Sequence, residues 1–183
     1  MKKILLITML LISLLIFSQE KMLTKSATIT FDASFPSFDE VRGTNKSVTF
    51  VLNPETGEVA CLAIMKGFEF EIALMEEHFN ENYMETDQYP KAIFRGQIEG
   101  FDSGILTTSA KDFFIKGKLE LHGKSKDITV TARISKTGPR ITILSNFSVN
   151  TSDFSIPIPA LIKYKLASKV NIQIAGVLVT EFK

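Results

Sequence analysis

The segment KDFFIKGKLELHG, residues 111–123, alternates apolar and polar side chains over most of its length. Phe113, Ile115, Gly117, Leu119 and Leu121 fall on one side, while Lys116, Lys118, Glu120 and His122 fall on the other. Successive side chains of an extended chain point to opposite faces, so this pattern reads as a strand with one face in a core and one in water. The next run repeats it with Ile128, Val130, Ala132 and Ile134 against Asp127, Thr129, Thr131 and Arg133. Ile141, Ile143, Ser145, Phe147 and Val149 form a third series, and Val170, Ile172 and Ile174 opposite Asn171 and Gln173 a fourth. His122-Gly123-Lys124 and Thr137-Gly138-Pro139 are turn sequences between them. Such short connections imply antiparallel neighbours, because parallel pairing needs a crossover of about a dozen residues or more.

Earlier strands are expected over residues 27–31, 46–52, 57–65 and 91–99, the second and third joined through Asn53-Pro54-Glu55-Thr56-Gly57. The sum is about eight strands, which suggests an all-β antiparallel barrel or sandwich. One short helix is expected over residues 73–83, where Met75, Phe79 and Tyr83 recur every fourth position and share a face. Tyr89-Pro90 stops it and starts a strand, since proline pushes the residue before it towards an extended conformation. No repeat, low-complexity tract or linker divides the chain, so residues 19–183 read as one domain.

Residues 1–18 have the parts of a secretory signal peptide: Lys2 and Lys3, an apolar run from 4 to 17, and Ser18 near the expected cut. Export to the periplasm or the medium is therefore expected, with no stable membrane insertion after cleavage. Losing Lys2 and Lys3 takes Lys+Arg from 21 to 19 against 20 Asp+Glu, leaving the mature chain near neutral. That balance offers no long-range attraction for nucleic acid. A single cysteine, Cys61, excludes an internal disulfide, and its apolar setting VACLAIM reads as a buried, inert thiol.

Catalytic motifs are scarce. There are two histidines. His78-Phe79-Asn80-Glu81-Asn82 follows the inverted zinc-protease order until its last position, where asparagine replaces the second ligand. Gly123-Lys124-Ser125-Lys126-Asp127 fails as a nucleophile elbow, and no glycine-rich phosphate loop occurs. No metal, cofactor or catalytic residue is assigned. The positive signal is fifteen phenylalanines with no tryptophan. Phe31, Phe50, Phe94, Phe113 and Phe147 sit within strands, and with Ile115, Leu119 and Leu121 they are candidates to line an apolar cavity for an elongated hydrocarbon. A solid core fits the same pattern.

Two segments, LMEEHFNENYMETDQYPKAIFRGQI and GKLELHGKSKDITVTARI, carry a further signal. They resemble the signature regions of the YceI-like family of exported barrel proteins. Tyr89, Pro90, Ala92, Phe94 and Gly96 match its Y-P-x-A-x-F-x-G strand, and Leu119, His122, Gly123 and Lys126 its L-x-x-H-G-x-x-K turn. The closing FSIPIP and KLASKVNIQI stretches are similar to its C-terminal strand and approach. The loop ASFPSFDEVRGTN departs from the family's opening strand region. The resemblance implies an extended, lipocalin-like antiparallel barrel that encloses a long isoprenoid or other amphiphilic lipid. It carries over no catalytic residue.

The expectation is thus a non-enzymatic carrier of an apolar, isoprenoid-type lipid, with homodimerisation left open. Two other readings stand beside it: an envelope domain with a filled core, and an enzyme using His78 or His122. The polar turn has two readings as well. Met75, Phe79 and Tyr83 plug one end of the barrel, or the segment is a lid in which His78, Phe79, Asn80, Asn82 and Tyr83 form the mouth and meet a lipid's polar head.

Overall fold

The computed structural model describes residues 21–35, 40–159 and 166–180; the expected signal segment lies outside them. Among the described residues there are eight strands: β1 (Met22–Ser34), β2 (Arg42–Leu52), β3 (Glu58–Ile64), β4 (Lys91–Ile98), β5 (Lys111–Leu121), β6 (Lys124–Thr137), β7 (Arg140–Asn150) and β8 (Leu166–Thr180). Each pairs with its neighbour in sequence, and β1 pairs with β8, so the sheet closes into a barrel without free edges. All pairings are antiparallel.

β1 begins earlier than its alternation suggests. Lys25 and Ser26 interrupt the apolar series, and the pairing with β2 shifts register between Thr24 and Ala27. A bulge there returns the following residues to the inside, so Thr24 and Ala27 are both buried. A strand read from strict alternation stops at such a point.

One end of the barrel is filled. Leu52, Ile134 and Leu178 are 0% exposed and Ile98 and Ile141 1%. The turn between β2 and β3 closes over this end. Asn53 Oδ1 accepts the amides of Glu55 (2.9 Å) and Thr56 (3.2 Å), and Gly57 takes φ +77 with no room for a side chain beside Phe101.

The other end carries the long insertion between β3 and β4. β3 stops at Ile64, whose carbonyl accepts Asn45 Nδ2 at 2.9 Å, and Asn45 is 1% exposed. The chain then turns back through Met65–Gly67, and Glu69 forms a bridge to Thr44 on the upper part of β2. Helix α1 (Ala73–His78) follows, and its last turn widens into a π turn over Phe79–Tyr83. The single helix expected over 73–83 is thus present with a change of pitch inside it. The amide of Met84 reaches the Phe79 carbonyl at 2.9 Å, a five-residue step that brings Met84 beneath the same face.

Candidate functional site

Above the filled layer the barrel is hollow. A cavity of about 430 Å³ opens at the end that carries α1. Its walls are almost wholly apolar and include seven phenylalanines; the polar side chains among them are His78, Tyr83, Ser145 and Thr151. Ser145 Oγ donates to the Thr131 carbonyl at 2.8 Å, so the one polar side chain deep in the wall is already satisfied. Among the described residues no carboxylate, lysine or arginine lines the cavity.

Phe31, Phe50, Phe94, Ile115, Leu119, Leu121 and Phe147 all line this space. Phe113 does not. It faces inward with the same period, but it lies at the start of β5, where the barrel is filled, and packs on Phe101 with ring centres 6.2 Å apart. Depth along the strand separates it from Ile115, and alternation carries no information on depth.

At the mouth, the inner face of the helical insertion presents Met75, Phe79 and Tyr83 to the cavity, with Met84 added by the π turn. Phe79 is 8% exposed and sits in a cluster of rings, stacked on Phe31 at 5.2 Å and tilted against Phe70 at 5.1 Å and Phe68 at 5.7 Å. Burial raises the Tyr83 hydroxyl above the usual phenol range, which keeps it neutral. His78 lines the mouth with its side chain exposed. Asn80 and Asn82 fall off the inner face. Asn80 lies along an outer polar groove with Glu76, Glu77 and Thr86, its Oδ1 buried without a partner among the described residues, and Asn82 is exposed.

Phe68, Phe70, Met84 and Ile156 complete the rim. The sequence reading passed over them. For the first two a signal existed, since Phe68 and Phe70 alternate with Glu69 and Glu71 in a short extended stretch.

His122 stands outside the cavity, in the two-residue turn between β5 and β6. It takes φ +49 and Gly123 φ +69, the geometry of a type I′ hairpin. The ring is 7% exposed. Its Nδ1 donates to the Phe154 carbonyl (3.1 Å), Nε2 meets Glu85 Oε2 (3.0 Å), and its face packs edge-on against Tyr89 at 4.5 Å. Gly123 lies flat under that tyrosine, where a Cβ would stand 2.7 Å from the ring. One turn therefore ties the insertion to the segment after β7.

Cys61 also faces the cavity, and burial pushes its thiol up to about 12, so it stays protonated. Among the described residues no cluster of His, Cys, Asp and Glu is placed to hold a metal ion.

A family model described as YceI-like domain matches residues 21–178. Among solved structures the chain is similar to a polyisoprenoid-binding domain from Saccharophagus degradans implicated in plant cell wall breakdown. The identity is 14% and the TM-score 0.73, over 88% of this chain and 98% of that one. It is similar to BcnA of Burkholderia cenocepacia at 17% identity and a TM-score of 0.68, over 84% and 96% of the two chains. The YCEI protein of Campylobacter jejuni matches at 18% identity and a TM-score of 0.64, over 81% and 90%. At these identities the likeness establishes the fold. No curated protein matches the sequence.

Proposed function

The chain belongs to the YceI-like domain family, and from that premise we propose that it is a non-enzymatic binding protein that holds an apolar, isoprenoid-type lipid inside its barrel. The observation that carries this reading is the hollow itself: about 430 Å³, open at one end and walled by hydrocarbon. Ligand sites typically span about 300–1,000 Å³, so the space suits one chain-like molecule. Burial drives its uptake at roughly 25 cal/mol per Å² of apolar surface removed from water. With no charged side chain among the described residues of the wall, a polar head is left at the rim beside His78, Tyr83 and Thr151. The similar Saccharophagus domain is a polyisoprenoid-binding one, which agrees with this class of ligand.

The wall supports binding over catalysis. Both nitrogens of His122 are engaged in holding loops together, and the Cys61 thiol is far from ionising. Export belongs to the same proposal. The family match starts at residue 21, just past the apolar run of 4–17, as expected of a mature domain behind a removable signal.

Cys61 supplies the test. In the purified protein, an uncharged maleimide is expected to label it slowly, and geranylgeraniol to slow the labelling further with saturation at one lipid per chain. Labelling that stays unchanged at any concentration of the alcohol would reject the assignment.

A further inference from the structure

Phe94 lies on the cavity wall in an unusual seat. It points inward from β4, between Cys61 on β3 and Leu119 on β5. One inward step nearer the filled end, Gly96 and Gly117 face each other across β4 and β5. Neither has a side chain, and the Phe94 ring covers both. A Cβ on Gly96 would stand 2.8 Å from Phe94 Cζ, and one on Gly117 2.7 Å from the same atom. The ring thus leans away from the mouth and down onto bare backbone.

This places the ring at the bottom of the hollow on its β4 side. On β4 the inward positions Ala92 and Phe94 line the cavity, while Ile98, beyond the glycine, is 1% exposed and belongs to the filled layer. On β5 the boundary falls one inward step deeper, between Ile115, which lines although it pairs with Ile98, and Phe113, which does not. Along β4 the ring therefore occupies the last space before the packed layer, space that exists because two facing positions are glycine, while on β5 the wall continues to Ile115.

We propose that Phe94 on its Gly96–Gly117 seat is the floor that sets how long a hydrocarbon tail the barrel accepts. The proposal rests on the lipid-binding reading above and adds to it a length limit. Removing the ring exposes the glycine pair and deepens the cavity by about one isoprene unit, since a truncated core ring leaves a space that its surroundings only partly refill. A larger ring in the same place shortens it.

The experiment is a binding series of geraniol, farnesol, geranylgeraniol and longer prenols on the wild-type chain and on Phe94→Ala, Phe94→Leu and Phe94→Trp, each checked by thermal melting. Phe94→Ala is expected to move the best-bound length up by about one isoprene unit, Phe94→Leu by less, and Phe94→Trp down. Phe94→Leu keeps an apolar side chain and serves if the alanine variant does not fold. An unchanged optimum in every folded variant, with affinity falling evenly along the series, would make Phe94 plain wall and overturn the floor while leaving lipid binding intact. A wild-type chain that binds no prenol overturns both.

Discussion

Each ring nitrogen of His122 faces an oxygen that accepts: the Phe154 carbonyl at 3.1 Å and Glu85 Oε2 at 3.0 Å. The three described non-glycine residues with positive φ are Glu85, His122 and Ser155, and all of them belong to this junction or adjoin it. Backbone held in that region costs about 1 kcal/mol or more per residue, so the hydrogen bonds and the Tyr89 packing must outweigh it. His122→Ala removes both bonds and leaves the Phe154 carbonyl buried. The expected loss is about 3 kcal/mol in urea unfolding. His122→Asn, which tolerates the left-handed conformation, should lose less. A histidine acting as catalyst would leave stability unchanged in both variants. The sequence showed His122-Gly123 as a turn, but the partners of that ring lie 37 and 32 positions away and no local pattern points to them.

The insertion between β3 and β4 presents Met75, Phe79 and Tyr83 to the cavity mouth. Its inner face was readable from the spacing of Met75, Phe79 and Tyr83. The π turn that adds Met84 was not, because pitch is set by packing against Phe31, Phe68 and Phe70 and leaves no mark in spacing. Phe79→Ala should cost about 3 kcal/mol, since the ring is nearly buried among three others, and should also weaken prenol binding. Stability within about 0.5 kcal/mol of wild type would make the segment a loose cover only. Across the mouth, the tops of β1 and β2 are tied by Asp32. Hydrogen bonds from Ser34 hold its carboxyl below the usual range, Arg42 adds to them, and partial burial opposes them. A folded value below the unfolded one stabilises above the unfolded pKa and ceases to as pH falls through the folded one. Melting temperatures of wild type and Asp32→Asn should therefore converge below about pH 4 and differ in favour of wild type above it. A gap that widens towards acid would contradict that sign.

Alternation repeated over about eight strands left barrel and sandwich both open in the sequence; the family resemblance implied the barrel, and the β1–β8 pairing closes it. Alternation states which side chains point inward. It does not state whether they meet. Filled and hollow parts use the same residue types, so Phe113 and Phe94 look alike in sequence although one packs on Phe101 and the other floors a cavity. The facing glycines Gly96 and Gly117 beside Phe94 make that difference, and their facing depends on register. The account as a whole requires the hollow to be occupied by lipid in the cell. Native mass spectrometry of the protein recovered without detergent, followed by organic extraction, tests this most directly. We predict an adduct of one lipid per chain that releases an isoprenoid-type molecule on extraction. A bare polypeptide mass, from a protein that also fails to take up added prenol, would contradict it.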